Sequence, residues 1–150
     1  MSEADVQVVR RVFGSPEIGQ PADIAAVVAD DGHWERNRGA IAPDLKVRFV
    51  IPPSGLEVMD RQEFEGIEGL KDGWRIWMEA WESFMVSLAE VIDLDDGRVL
   101  LLSQANVRTR SGGVELTQDV AVLSRVVDGR IAEASFYLDQ QQARRDAGIA

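Results

Sequence analysis

Three polar residues alternate along a segment rich in branched apolar residues, at Gln104, Asn106 and Arg108. Alternation with a period of two places such residues on one face of a β-strand. If that face lines a pocket, the two amides would hydrogen-bond a ligand carbonyl or hydroxyl, or position a water molecule. Amides cannot act as a general base at neutral pH, so they would act by polarising the ligand. The alternative is a solvated face near the strand end.

Few other residues could take part in catalysis. His33 is the only histidine and follows Asp31-Gly32 in a predicted connection, where simple exposure is the plainer interpretation. Asp119 is the one carboxylate inside the core of the strand predicted over residues 114–127, and burial would make it a plausible acid or base. Alternation directs it away from Val120, which favours an ion pair at an interface or strand end. A single histidine and no recognisable ligand spacing predict no metal site and no cofactor.

An aromatic stripe runs through residues 66–84, with Trp74, Trp77 and Trp81 at three- and four-residue steps. This spacing predicts an amphipathic helix over the whole segment. Trp74 and Trp77 could form an aromatic wall for a planar ligand. The plainer interpretation is core packing, and the two agree wherever the core side of the helix is also the pocket side.

Three strands that form an antiparallel meander are predicted over residues 99–109, 114–127 and 130–138. The turns between them contain Gly112-Gly113 and Asp128-Gly129, which tolerate the positive φ of tight hairpins. Helices before the meander and strands beside it complete an α+β arrangement, with the helices on one side of the sheet. The other predicted elements are helices at residues 3–13, from Pro21 to Gly32 and at 140–147, and strands at 45–51, 56–59 and 85–94.

The second strand of the meander is apolar on both of its faces. One alternation carries Val120, Val122 and Val126, and the other carries Ala121, Leu123 and Val127. A strand that is apolar on both faces needs cover on both. Helices can cover one face, and a second copy of the chain is the simplest cover for the other. The pattern therefore predicts a homodimer through the sheet.

Composition limits the class of protein. The 150 residues predict one domain over positions 1–150, and the formal charge of −10 opposes binding to nucleic acid. No apolar run approaches the ~20 residues that cross a bilayer, so no membrane partner is expected. The start of the chain lacks a basic stretch before an apolar one, so a secretory signal is not expected. The absence of cysteine fits a reducing compartment and predicts a cytoplasmic location.

Several motifs together resemble those of the SnoaL-like family. They are Phe64-x-Gly66-Ile67-x-Gly69-Leu70, Trp81-Glu82-Ser83-Phe84, and the segments VIDLDDGRVLLL, SGGVEL, VVDGRI and FYLDQQQARRDAGI. That family belongs to the polyketide-cyclase, ketosteroid-isomerase and nuclear-transport-factor-two-like superfamily. The resemblance spans almost the whole chain. It implies a cone formed by a strongly bent sheet and closed by the N-terminal helices around a pocket, commonly as a dimer.

The catalytic positions of that superfamily carry different residues here. SnoaL-type cyclases have a catalytic Asp on the penultimate strand, and the similar position in this chain holds Val122. Limonene-epoxide-hydrolase-like members carry Arg-x-Asp on the preceding strand, similar in position to Gln104-Ala105-Asn106, and a second Asp near Phe136. Ketosteroid-isomerase-like members need an acidic residue beside the first strand and a Tyr on the first helix, and neither is present. None of these constellations is intact.

The sequence thus predicts a SnoaL-like α+β cone whose mainly apolar pocket takes a small hydrophobic oxygenated molecule without the usual acid–base residues. The alternative is an isomerase, a cyclase or an enzyme of the hydratase or epoxide-hydrolase type that uses Gln104 and Asn106 with a positioned water. A third possibility is a structural dimeric partner with a filled cone. The pocket candidates are Gln104, Asn106, Val122, Ser124, Phe136, Trp74 and Trp77, with His33, Asp119 and Arg108 as weaker ones.

Overall fold

The structure, a computed structural model, describes residues 3–13, 18–50 and 62–149. None of the helices in these ranges is long and apolar enough to span a membrane. In chain order the elements are α1 (Glu3–Phe13), β1 (Pro21–Asp23), α2 (Ile24–Ala29), α3 (Asp31–Asn37), a 3₁₀ turn (Arg38–Ala40), β2 (Ile41–Val50), β3 (Glu63–Glu65), α4 (Gly66–Met78), β4 (Trp81–Asp93), β5 (Arg98–Thr109), β6 (Glu115–Val127), β7 (Arg130–Tyr137) and α5 (Gln140–Ala147). The strand predicted at residues 56–59 lies outside the described residues.

The strands form one mixed sheet in the order β1-β4-β5-β6-β7-β2-β3. Neighbours are antiparallel except β2 and β7, which run parallel. Register shifts leave one extra residue in β4, between Leu88 and Glu90, and one in β7, between Ile131 and Glu133. Such bulges bend and twist a strand, so the sheet curls around the helices packed against it. The predicted α+β class is confirmed.

The sheet has an inner and an outer face, and β5 shows both. Its odd-numbered residues from Val99 to Val107 form the inner face and are all buried, mostly within the main core beneath α1 and α4. Its even-numbered residues form the outer face, where Leu100 and Leu102 are buried and the residues after them are exposed. The helices therefore close the inner face, as the resemblance implied.

The C-terminal helix α5 covers part of the outer face. Ala143 and Ala147 pack into a second apolar cluster with Leu100, Leu102, Ala121 and Tyr137. The Arg98 guanidinium donates to the carbonyl oxygens of Asp146 and Ala147 at the end of α5. The expectation that a second copy of the chain is the simplest cover for the other face of β6 is therefore corrected in part, because the chain covers some of that face with its own last helix.

The helix predicted over residues 66–84 is shorter, and this prediction is wrong at its C-terminal end. Helix α4 stops at Met78, and β4 begins at Trp81. Phe84 and Leu88 are buried in the main core while their exposed neighbours face away, which is the alternation of a strand. Phe84 lies seven residues after Trp77, so it also fits a helical spacing by coincidence.

The second helix also begins later than predicted. Pro21 does not open it, but starts the short edge strand β1, which pairs with β4. The Asp23 carboxylate then accepts hydrogen bonds from the backbone N–H groups of Ala25 and Ala26 and caps α2. A proline at the start of an edge strand loses no ladder hydrogen bond. Pro21 is therefore as well suited to the start of β1 as to the first turn of a helix.

We expect Gly73→Ala to destabilise the fold although alanine favours a helix. A Cβ at this position would lie 2.5 Å from Phe49 Cε1 and 3.0 Å from Phe64 Cδ1, so the glycine lets α4 approach β2 and β3 closely. Overpacking of this kind costs about 1–3 kcal/mol, more than the ~1 kcal/mol gained in helix propensity. Urea unfolding measures the difference.

Asp72→Ala is the matched control, because Asp72 is the exposed neighbour on the same helix. Its free energy of unfolding should stay within about 0.5 kcal/mol of the wild type. A Gly73→Ala variant as stable as this control would contradict the close-approach explanation.

Candidate functional site

A cavity lies between the inner face of the sheet and the helices above it. Its volume is about 90 Å³, several times the roughly 10–15 Å³ that one water molecule needs. Helix α2 contributes Ile24 and Val27, and the sheet contributes Val86, Leu101 and Val120. The cone is therefore not completely filled, and its empty space is bounded mainly by aliphatic and aromatic carbon.

Aromatic rings form one side of the cavity, with Phe136 of β7 at their centre. The Phe136 ring stacks on Phe49 with centroids 5.2 Å apart, and it meets Trp74 edge-on at 5.2 Å. Phe13 at the end of α1 contacts the same ring edge-on at 5.5 Å. Offset and edge-on ring contacts are the favoured geometries of aromatic pairs. The result is a wall of interlocked aromatic rings.

Polar groups are few in the cavity lining. Ser103 is the lining residue that carries an aliphatic hydroxyl, and the lining residues Trp34, Trp74 and Trp77 each carry an indole N–H. Tyr137 also borders the cavity, but its hydroxyl donates to Asp146 Oδ2 at 2.7 Å on the α5 side. Burial, together with this hydrogen bond, raises the pKa of Tyr137, so its hydroxyl stays protonated at neutral pH. Among the described residues, the lining contains no carboxylate, histidine, lysine or arginine.

The structure places the polar trio of β5 outside this cavity. Gln104, Asn106 and Arg108 are exposed on the outer face. Asn106 accepts a hydrogen bond from Thr117 Oγ1 at 2.9 Å, and Arg108 pairs with Glu115, which raises the pKa of the Arg108 guanidinium. The expectation that the two amides face the pocket is therefore corrected. The inward positions of β5 lie one residue away, and a shift of one residue reverses the face of a strand.

The other pocket candidates divide into two groups. Val122, Phe136, Trp74 and Trp77 line the cavity. Ser124 follows Val122 on the same face of β6 and is fully buried, but it lies outside the cavity lining, and its hydroxyl has no hydrogen-bond partner.

The weaker candidates lie apart from the cavity. Asp119 is exposed on the outer face beside Gln104, its cross-strand neighbour. His33 belongs to α3, and its Nε2 is 3.0 Å from the carbonyl oxygen of Val12, so it ties α3 to the end of α1. Over the described part of the chain, no group of histidine, aspartate and glutamate side chains could hold a metal ion.

Sequence reasoning missed Ser103 and Trp34 as lining residues. The signal for Ser103 was present, because it occupies the alternation of β5 that is otherwise apolar, between Leu101 and Ala105. Polar residues on one alternation and apolar ones on the other are typical of a strand with one solvated face. Read in this way, the pattern assigns Ser103 to the interior and Gln104 to solvent.

Comparisons with known proteins support the fold. No protein-family model matches the sequence, and no curated protein is similar to it. Among solved structures, TerC co-crystallized with polyporic acid is similar with a TM-score of 0.67 and 14% identity over 97% of this chain and 99% of that one. An NTF2-like protein of unknown function from Burkholderia pseudomallei has a TM-score of 0.65 and 17% identity over 97% of each chain.

A protein from Jannaschia described as a SnoaL-like polyketide cyclase has a TM-score of 0.63 and 18% identity, covering 100% of this chain and 96% of that one. The chain has the NTF2-like fold. The resemblance to SnoaL-like and NTF2-like proteins is thereby confirmed for the architecture. The NTF2-like fold hosts unrelated activities, so the function has to be argued from the cavity itself.

Proposed function

We propose that this chain binds a small, uncharged, largely apolar molecule with a flat ring system in the cavity. The observation that carries the proposal is the lining, in which aliphatic side chains face interlocked aromatic rings centred on Phe136. Pockets of this composition bind mainly by burying apolar surface, and a few polar groups set the orientation of the ligand.

The same lining argues for a neutral ligand. A carboxylate or ammonium group that entered the cavity would lose its hydration, and no opposite charge from the described lining would replace it. The formal charge of −10 on the chain further opposes an anion. The proposed ligands are therefore uncharged at the pH at which they bind.

We propose a binding role rather than acid–base catalysis. A general acid or base must lie within hydrogen-bond reach of the reacting group. The resemblance to SnoaL-like proteins implies catalytic acids at the positions of Val122 and Phe136, and both of these apolar residues border the cavity. The enzymatic alternative assigned polarisation to Gln104 and Asn106, which are on the outer face. Two similar structures, a protein described as a polyketide cyclase and one co-crystallized with polyporic acid, support only the use of this fold around small molecules.

Filling the cavity should abolish ligand binding. We expect Val122→Phe to lower the affinity for indane, a neutral bicyclic hydrocarbon, by at least about tenfold, because the added ring occupies the space that the ligand needs. Indane titration followed by NMR shifts of the tryptophan indole N–H groups measures the affinity. Trp74 and Trp77 line the cavity and serve as reporters.

Val127→Phe is the matched control, because it makes the same change on the same strand at a side chain that is 50% exposed. It should bind indane as the wild type does. Equal binding by Val122→Phe, or no binding of indane by the wild type, would contradict the proposal.

We further propose that the chain forms a homodimer through the part of the outer face that α5 leaves open. That area carries Gln104 and Asn106 of β5 beside Thr117 and Asp119 of β6, all exposed. Amide and hydroxyl side chains can pair with their own copies across a two-fold axis, as an isologous interface requires. Three of these four side chains are uncharged, and uncharged polar groups bring a lower desolvation cost than charges do.

Light scattering during size-exclusion chromatography should give twice the chain mass of 16.6 kDa. We expect Asn106→Arg to shift this mass to that of the monomer, because like charges would meet across the axis. Gln141→Arg is the control on the exposed surface of α5 and should remain a dimer. A wild-type protein with the monomer mass would overturn this proposal.

A further inference from the structure

Helices α2 and α3 are connected as one unit beside the cavity. Asp30 ends α2 and caps α3, where its carboxylate accepts a hydrogen bond from the backbone N–H of His33. Trp34 of α3 reaches back to α2, since its Nε1 donates to the carbonyl oxygen of Val28 at 3.1 Å. The shared capping residue and the buried hydrogen bond fix the two helices relative to each other. We therefore expect residues 24–37 to move together.

This unit lines the cavity but is weakly attached to the rest of the fold. Ile24, Val27 and Val28 of α2 line the cavity, yet Val28 is the one buried side chain of that six-residue helix. The preceding strand β1 has three residues at the edge of the sheet, and none of them is buried. By contrast, α4 buries four residues, Gly73 among them. Segments with few buried contacts open at a lower free energy than the core does.

Two polar side-chain contacts among the described residues tie the unit to neighbouring helices. The Asp31 carboxylate, at the corner between α2 and α3, lies 3.1 Å from Lys71 Nζ of α4. His33 Nε2 lies 3.0 Å from the carbonyl oxygen of Val12 near the end of α1. The Asp31 side chain is 86% exposed, and an ion pair with an exposed partner is weak and screened by salt. Such a contact holds the corner closed without making the closure permanent.

The position of the ion pair suits an opening movement of this unit. Asp31 lies in sequence about midway between Asp23 and Arg38, where the unit joins β1 and the 3₁₀ turn. Its cavity-lining side chains lie on both sides of this corner, in α2 and at Trp34 of α3. Lifting the corner would withdraw these side chains from the cavity. The sheet would stay paired, because both attachments lie outside residues 24–37.

We infer that α2 and α3 form a gate through which molecules enter and leave the cavity, and that the ion pair between Asp31 and Lys71 helps to hold this gate closed. The inference rests on the proposed function for what passes through the gate, and it adds how access is controlled. Neither ion-pair partner lines the cavity, so the pair is present whether the cavity is empty or occupied. Its loss therefore raises the rates of entry and exit by the same factor and leaves the affinity unchanged.

Asp31→Asn tests the ion pair, because it removes the charge and keeps the shape of the side chain. Lys71 keeps Glu68 Oε2 at 3.6 Å, so the buried lysine is not left without an anion. We expect the association and dissociation rate constants of indane to rise together, roughly two- to fivefold, the range of one partly exposed ion pair. The Kd should stay within about twofold of the wild type. Stopped-flow tryptophan fluorescence measures both rates, since Trp74 and Trp77 line the cavity.

Glu35→Gln is the matched control, because it removes one carboxylate charge from the same helix. Glu35 pairs with Arg38 at the start of the 3₁₀ turn and not with α4, so this variant should keep the wild-type rates. Raising the salt concentration should speed both rates in the wild type and leave those of Asp31→Asn unchanged. An association rate that stays at the wild-type value in Asp31→Asn, or that rises equally in Glu35→Gln, would overturn the gate.

Hydrogen exchange of the backbone amides tests the gate without a ligand. In the wild type, the protection factors of α2 and α3 should be at least about tenfold lower than those of β5, because the unit opens while the sheet stays folded. If the unit is as strongly protected as β5, it opens only when the whole protein unfolds, and the gate is overturned even if indane binds. If indane does not bind, the proposed function fails, and the exchange measurement still decides whether the unit opens.

Discussion

The alternation of side chains along β5 and β6 is the constraint on which the rest of the site depends. Each of these strands is covered on both faces, by the helices α1 and α4 inside and over part of its length by α5 outside. One residue of register therefore decides whether a side chain meets the cavity, the C-terminal helix or solvent. Ser103 and Gln104 are adjacent in sequence, yet one lines the cavity and the other is exposed.

The apolar character of the cavity depends on the absence of charged side chains from its described lining as well as on the aromatic rings present there. Val122 and Phe136 border the cavity with apolar side chains, and Phe136 gathers Phe49, Trp74 and Phe13 around its ring. A carboxylate in that place would need a partner in a region that offers almost none. The binding role that we propose therefore depends on apolar surface and shape rather than on charge.

Most of the fold could be predicted from the sequence, and the face of each strand only in part. The Asp128-Gly129 turn, the meander and the helix at residues 140–147 follow local signals that leave few alternatives. The end of α4 could not be predicted from such signals, because Phe84 fits both the helical and the strand period. The role of α5 could not be read locally either, since its small apolar stripe is recognisable only once the outer face of the sheet is known.

The central claim is that a cavity whose described lining has no charged side chains selects uncharged ligands. Its most direct test is a comparison of indane with indane carboxylate, which has the same ring system and is ionised at neutral pH. We expect indane to bind and the carboxylate to bind at least on the order of a hundredfold more weakly, because its charge would be buried without a partner. Equal affinities for the two compounds would contradict the claim.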